Sequence, residues 1–209
     1  AVESTESVKN LKISGCNVQG DISGVSDAFG VIGKLERGSV QADITDGTSQ
    51  GYINNVSFSG LRASDKLKDR VGIIGINYDG VFSGYSLNNI RFAAIGQNGG
   101  SIVGTNIGWS GDKVENITVS NYVTDGNGFV GMNGTSDIKN GVITGCRIIN
   151  SQIEKNGFAG NMYGGTINKC HIYSDPSLYS GTEYYKPNVN TQDTTVGAGD
   201  RYNMVTAGL

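Results

Sequence analysis

The chain has 209 residues, a formal net charge of −3 and only 17% charged residues. This composition argues against a nucleic-acid partner, because phosphate binding needs clustered Lys and Arg. No stretch approaches the roughly 20 apolar residues of a membrane-spanning helix, so membrane insertion is not expected. Because the first residue is Ala1 and not Met, we expect a mature or excised piece of a longer protein.

A short glycine-containing phrase recurs along the chain and is its most informative feature. It reads glycine–apolar–apolar–glycine at 30–33, 72–75, 128–131 and 157–160, with a stretched copy at 100–104. The final glycines lie 42, 29, 27 and 29 residues apart, at Gly33, Gly75, Gly104, Gly131 and Gly160. A repeat of this length predicts a stacked fold in which each unit contacts only its neighbours.

A second phrase, apolar-x-Asn-apolar-x-apolar, follows in step with the first. It occurs at 8–13, 53–58, 87–92 and 114–119, and two later copies at 143–148 and 167–172 carry Gly or Lys in the Asn slot. Apolar and polar residues alternate within it, which is typical of a half-buried strand. We interpret the paired glycines as breaks between strands, where the backbone turns tightly or packs closely.

These patterns predict an all-β fold, a right-handed parallel β-helix with coils of roughly 24–29 residues, because parallel connections are right-handed. Residues 1–7 are expected to be a linker or a remnant of the expression system, and residues 8–174 the repeats. Residues 175–209 lack both phrases, and we expect an irregular C-terminal cap or the start of another domain. The charged segment 61–70 is predicted to be a loop or short helix that bulges from the stack.

The glycine phrase followed by the apolar-x-Asn-apolar strand resembles the GLUG motif of large bacterial surface proteins. The resemblance covers residues 25–172, although Phe or Ile often replaces the usual Leu and one copy has the extra Ser101. It implies a repeat region like those of adhesins, or like the non-catalytic regions of immunoglobulin A peptidases and related zinc metallopeptidases. The chain has no His-Glu-x-x-His, so a peptidase centre would lie outside it.

Several motifs have a structural interpretation. Residues 126–131 match the Gly-x-Gly-x-x-Gly pattern of dinucleotide sites, but poor helix formers follow, so we assign these glycines to the repeat. Cys146 and Cys170 occupy the same slot of consecutive phrases, where a disulfide is conceivable. We favour a ladder of two buried free thiols, with Cys16 free and several coils away.

Catalytic and metal-binding candidates are few. His171, the only histidine, is expected to face solvent from a strand, and the chain has no Cys-x-x-Cys, so we expect no metal and no cofactor. The alternative class, a polysaccharide lyase, hydrolase or epimerase of the β-helix type, would need carboxylates aligned on one face. The available acids are mostly neighbours of Gly or Asn, as turn residues are: Asp79, Asp112, Asp125, Asp137 and Glu115. We therefore predict that the chain is not an enzyme.

The remaining candidate is a ligand-binding loop around Trp109, the only tryptophan. An exposed indole beside Asn106 and Asp112 would suit stacking on a sugar, and Tyr78 and Tyr85 could extend the strip. The interpretation that we favour for the ring itself is a Trp folded back over the flank of the coil to cover apolar surface. We predict a non-catalytic, extracellular or cell-surface module acting in adhesion, ligand display or as a stalk. Its partners would be a host glycan, an extracellular protein or neighbouring domains; a purely structural spacer beside a metallopeptidase domain remains an alternative.

Overall fold

The computed structural model describes residues 2–3, 7–25, 27–63, 67, 69–93, 95, 100–109, 112–138, 140–155, 158–173, 195–196 and 205–206. Its secondary structure is β-strand, without an α-helix in these ranges. Nearly all strands belong to three parallel sheets, which we name A, B and C.

Each sheet takes one strand from successive passages of the chain. Sheet A is ordered β1 (Val2–Glu3), β5 (Phe29–Glu36), β10 (Val71–Tyr78), β13 (Ser101–Ile107), β16 (Val130–Asn133) and β20 (Ala159–Met162). Sheet B is ordered β2 (Ser7–Lys9), β6 (Ser39–Gln41), β11 (Val81–Ser83), β14 (Lys113–Glu115), β17 (Val142–Thr144), β21 (Thr166–Asn168) and β23 (Thr195–Val196).

Sheet C completes the repeat unit. It runs β3 (Lys12–Ser14), β9 (Tyr52–Ala63), β12 (Ser86–Ala93), β15 (Thr118–Thr124), β18 (Arg147–Ile149), β22 (His171–Tyr173) and β24 (Val205–Thr206). Two further strands pair at its side, β4 (Asn17–Ile22) with β9 and β19 (Gln152–Ile153) with β15. A separate antiparallel hairpin is formed by β7 (Ile44–Thr45) and β8 (Thr48–Ser49).

The chain visits sheets A, B and C in turn, once in each repeat unit. The strand series β10, β11, β12 pairs in parallel with the series β13, β14, β15 that follows it. The prediction of an all-β fold with parallel strands, one unit stacked on the next, is confirmed. Sheet pairing therefore brings together residues about 24 to 42 positions apart in sequence, as in Val142↔Thr166 and Gly72↔Gly30.

The final glycine of every phrase lies inside a strand of sheet A, so the prediction that the paired glycines break the chain between strands is wrong for these positions; Gly100 and Gly128 lie just before β13 and β16, and Gly157 lies outside the described residues. The role of the final glycines is close approach between units. A Cβ atom on Gly75 would lie 2.6 Å from the carbonyl oxygen of Gly33, and one on Gly104 would lie 2.5 Å from that of Gly75. Gly131 and Gly160 repeat the arrangement at 2.7 and 2.5 Å. A side chain at these positions would push neighbouring strands apart.

The second phrase turns out to describe two different places in the repeat unit. Asn10 and Asn116 lie between a strand of sheet B and the following strand of sheet C, whereas Asn55 and Asn89 lie within strands of sheet C. All four have positive φ, between 52° and 56°. Asn tolerates this left-handed conformation better than most residues, so one sequence pattern serves both positions.

The core is built from rows of apolar side chains along the stack. In sheet C, Ile53, Leu87 and Val119 are paired in register and fully buried. Aromatic rings fill one side of the interior: the centroids of Phe58 and Phe92 are 5.3 Å apart. Offset aromatic contacts of this kind add to the stabilisation from buried area. The buried apolar side chains of all three sheets form one contiguous cluster.

The cysteines follow the expected ladder. Cys146 and Cys170 are buried free thiols on neighbouring units, and the Cys146 amide donates a hydrogen bond to Cys170 Sγ at 3.4 Å. Burial, reinforced by the neighbouring Cys170, raises the pKa of the Cys146 thiol well above its ordinary value. Cys16 is free and partly buried.

Three other sequence predictions concern segments that lie beside or beyond the repeated strands. Residues 61–63, expected to begin a loop or helix, continue β9; residues 64–66 and 68 of that segment lie outside the described residues. Val2–Glu3, within the expected linker, pairs with β5. Beyond residue 174, β23 and β24 pair with sheets B and C. The remainder of 175–209 lies outside the described residues, and the cap stays a prediction.

Candidate binding surface around Trp109

Trp109 emerges where sheet A passes into sheet B. Tyr78 and Ile107 are register partners at the ends of β10 and β13, and the Asp79 amide donates to the Ile107 carbonyl at 3.0 Å. Gly108 and Trp109 then leave the sheet. Trp109 is 59% exposed, so the ring projects from the stack and the favoured interpretation of a ring folded back on the flank is wrong.

The backbone of Trp109 is held on both sides. Its amide donates to Asp79 Oδ1 at 2.7 Å, and its carbonyl accepts a hydrogen bond from Asn140 Nδ2 at 3.1 Å. The Gly108 amide donates to the Asn140 carbonyl at 3.1 Å. Three repeat units therefore contribute to fixing one exposed residue, which lowers the entropy that ligand binding would have to remove.

The ring of Trp109 is oriented by Tyr78. Its indole Nε1–H donates to the Tyr78 hydroxyl oxygen at 3.1 Å. On the Tyr78 ring, Lys34 Nζ lies 5.8 Å from the centroid, and the same ammonium forms an ion pair with Glu36 at 2.8 Å. We name Trp109, Tyr78 and Asn140 the Trp109 platform, which consists of an exposed indole, a half-buried tyrosine ring and one exposed amide.

Asp112 lies beneath this platform and is only 3% exposed. Burial, and secondarily the nearby Asp79 carboxylate, raises the pKa of Asp112 to about 7, although backbone amides of Asp112 itself and Val142 partly counteract the rise. Its Oδ2 atom is buried without a hydrogen-bond partner. A Cβ atom on Gly108 would overlap Asp112 Oδ1, so Asp112 packs directly under the backbone that presents Trp109.

Asn106 lies in the interior and not on the platform. It belongs to a ladder of three fully buried asparagines: Asn77 Nδ2 donates to Asn106 Oδ1 at 2.8 Å, and Asn106 Nδ2 donates to Asn133 Oδ1 at 2.8 Å. Asn133 closes one end by donating to the carbonyls of Gly141 and Gly164. The side-chain amide of Asn106 is therefore occupied in linking repeat units.

Tyr85 is also a core residue, at 1% exposure. Its ring stacks on Phe82 with centroids 5.2 Å apart, and its hydroxyl accepts a hydrogen bond from the Leu11 amide at 3.0 Å. The predicted strip of Tyr78 and Tyr85 is thus divided between a surface position and an interior one. Of the five residues predicted around a ligand, the structure brings Trp109 and Tyr78 together at the surface, with Asp112 below them.

Sequence reasoning missed Asn140 as a platform residue and missed the asparagine ladder. The ladder had a detectable signal, because Asn77, Asn106 and Asn133 each stand two residues after the final glycine of a phrase. Asn140 had none: it reaches Trp109 from the next repeat unit through a loop with no recurring pattern.

The motifs that suggested other chemistry take structural roles. The residues after the Gly-x-Gly-x-x-Gly match form strand β16, so a helix N-terminus for a pyrophosphate is absent at that place. Within the described ranges, no three His, Cys, Asp or Glu side chains come together as a metal site would need. The side chain of His171 lies outside the described residues. No helix in the described part has the length and apolarity of a membrane span.

The fold and the platform define a stack of parallel β-strands that carries one exposed, hydrogen-bonded tryptophan. No protein-family model, curated protein or solved structure gives a significant match to this chain. The resemblance to GLUG repeats therefore stays a prediction from the sequence.

Proposed function

We propose that sheets A, B and C are the three faces of a right-handed parallel β-helix, and that the chain is a non-catalytic extracellular module of a bacterial surface or secreted protein. The cyclic visiting order of the sheets and the right-handed preference of parallel connections support the architecture. The module acts in adhesion or ligand display, with a host glycan or extracellular protein as ligand. The neighbouring domains of such a protein would include a metallopeptidase only if the GLUG resemblance holds.

The observation that carries this proposal is the exposed and immobilised Trp109. A large aromatic ring left 59% exposed forgoes hydrophobic stabilisation, yet here its indole nitrogen and both backbone groups are hydrogen-bonded in place. Rigid aromatic side chains with a polar handle are typical anchors of binding surfaces. An indole face flanked by the Tyr78 hydroxyl and the Asn140 amide matches a sugar ring, which has apolar C–H faces and hydroxyl edges.

The test is binding of the purified chain to an array of host and bacterial glycans, with Trp109→Ala beside it. We expect at least a tenfold loss of binding in the variant, because it removes the stacking surface. Trp109→Phe is the matched variant, since it keeps an aromatic face and removes only the indole N–H that donates to Tyr78, and it should keep most of the binding that Trp109→Ala loses. Equal binding by wild type and Trp109→Ala would refute the role of the Trp109 platform in glycan binding. If neither protein binds any glycan, the structural spacer is favoured.

A polysaccharide-cleaving enzyme is the second candidate, favoured by one observation. Asp79 and Asp112 are close enough for one carboxylate to raise the pKa of the other, and a raised pKa is typical of a general acid. Against it, the unpaired Asp112 Oδ2 is buried and out of a substrate's reach. New reducing ends, or ultraviolet absorbance from unsaturated products, that disappear in Asp112→Asn would establish this activity in place of adhesion.

A further inference from the structure

A depression lies against the hairpin of β7 and β8, at the corner between sheets B and C. At the hairpin tip, Asp46 and Gly47 both have positive φ, 51° and 77°, as a tight Asp-Gly turn requires. At its base, Ser49 Oγ lies 2.6 Å from the carbonyl oxygens of both Gly51 and Gly84, which share its single hydroxyl proton. The hairpin is thereby fixed to the following repeat unit as one wall of a groove.

The other side of the hairpin is fixed to the preceding repeat unit. Asn10 Oδ1 accepts a hydrogen bond from the Asp43 amide at 2.9 Å, and Asn10 Nδ2 donates to the Asp43 carboxylate at 3.1 Å. The Gln50 amide closes the hairpin by donating to the Asp43 carbonyl at 2.8 Å. Because both ends are anchored, the groove is preformed and ligand binding does not have to order its wall.

The groove has a volume of about 340 Å³ and combines apolar and polar surface. Ile44 and Tyr52 line it while remaining 51% and 37% exposed, and the buried Tyr85 ring contributes to the floor. None of the described residues that line it has a charged side chain. This volume falls within the range of roughly 300–1,000 Å³ that small-ligand sites occupy.

Three hydroxyl groups of the groove are unused by the described part of the protein. Thr48, Ser86 and Thr118 line it, and their side-chain hydroxyls make no hydrogen bond with the described part of the chain. Tyr52, Ser86 and Thr118 are register partners on three successive strands of sheet C. With neighbouring strands about 4.8 Å apart, this row places an aromatic ring and two hydroxyls over about 10 Å.

We infer that this hairpin groove is a binding site for a neutral oligosaccharide, separate from the Trp109 platform. The exposed Tyr52 ring provides a stacking surface for a sugar, and the row of hydroxyls, with the Asn116 amide at the rim, provides donors and acceptors for its hydroxyl groups. The described lining residues carry no charge, which favours a neutral ligand, whereas Lys12 and Arg147 continue the row beyond Tyr52 and Thr118. The lining also lacks the deep apolar pocket that anchors a peptide side chain.

The experiment is a titration followed by amide and indole chemical shifts of the isotope-labelled chain, using maltohexaose, cellohexaose and mannohexaose as separate probes. At least one probe should shift the amides of Tyr52, Ser86 and Thr118 together. Tyr52→Ala should weaken this binding about tenfold or more, and Thr118→Val, which keeps the shape and suits a strand, about threefold to tenfold. Trp109→Ala should leave it unchanged.

The inference is overturned if none of the three probes shifts those amides, or if the affinity is the same in Tyr52→Ala. It is also overturned if a neutral peptide shifts them and the sugars do not. A response confined to the Trp109 indole N–H would support the proposed function and reject the groove. Because both substituted side chains are at least partly exposed, circular dichroism of the variants should match the wild type, which keeps a negative result informative.

Discussion

Asp112 makes the stability of this protein depend on pH in a direction opposite to that of most paired carboxylates. Its pKa rises from an ordinary 3.8 to about 7 in the folded chain, chiefly through burial. Between these values the folded chain keeps a proton that the unfolded chain has lost. The free energy of unfolding therefore falls as pH rises from about 4 to about 7, and this contribution is constant outside that window.

The size of the effect follows from the pKa difference of about 3. At about 1.4 kcal/mol for each pKa unit the upper value is about 4 kcal/mol. Asp112 borders a shallow depression of about 220 Å³ that is open to water, and water there would stabilise the charged form. We therefore expect about 2 kcal/mol between pH 4 and pH 7, roughly a 30-fold change in the unfolding equilibrium.

Urea unfolding followed by circular dichroism at pH values from about 4 to about 9 measures this dependence. Asp112→Asn keeps the shape of the side chain and removes its titrating carboxyl group. Subtracting the pH profile of this variant from that of the wild type therefore isolates the contribution of Asp112. Asp137→Asn, at an exposed turn, is the matched control for the exchange of Asp for Asn itself. If the profiles of wild type and Asp112→Asn run parallel, the argument from burial is refuted.

Three further predictions concern the stack itself. Gly104→Ala should destabilise the protein by about 3 kcal/mol or more, or prevent folding, because its Cβ would lie 2.5 Å from the Gly75 carbonyl oxygen. Gly33→Ala, whose nearest atom is 3.9 Å away, should cost less than about 0.5 kcal/mol. Equal costs of the two substitutions in denaturant unfolding would contradict the close-approach explanation. Asn106→Leu should cost about 2–4 kcal/mol, because it leaves amide groups of the buried ladder unpaired. Asn88→Ala, which removes an exposed hydrogen bond donated by Asn121, should cost less than about 0.5 kcal/mol. Comparable unfolding midpoints of the two variants would exclude a structural role for the ladder. Iodoacetamide should modify Cys16 in the folded chain and spare Cys146 and Cys170 until denaturant is added, as peptide mass spectrometry would reveal; rapid labelling of all three would contradict their burial.

The architecture was predictable because its physical requirements recur at fixed intervals. Close approach between strands leaves glycine as the one residue that fits at Gly75 and Gly104, so those positions are visible in the sequence. The location of these glycines within the unit was not visible, since glycine marks both turns and close contacts. Asn55 and Asn116 were likewise placed in one class, because a left-handed residue looks the same at a corner and inside a strand.

The site was less predictable, since it depends on which neighbours surround each side chain. Tyr85 is amphipathic, and nothing in its local sequence indicates that Gly51 leaves room for its ring, whose Cε1 atom lies 2.8 Å from where a Gly51 Cβ would be. Trp109 was recognisable from its rarity and its polar neighbours. Its supports, Asp79 and Asn140, come from the adjacent repeat units and are joined to it only by folding.

The direction of the asparagine ladder limits how such a protein could be lengthened. Each amide donates toward the C-terminal unit, so every internal rung both gives and receives, and a duplicated rung could be inserted without an unmatched group. At the N-terminal end, Asn77 Oδ1 has no donor, because its register partner in the preceding unit is Leu35. Units with asparagine are therefore interchangeable in the middle of the array, whereas a unit with leucine fits only at its margin. One buried polar row thus restricts the order in which modules can be recombined.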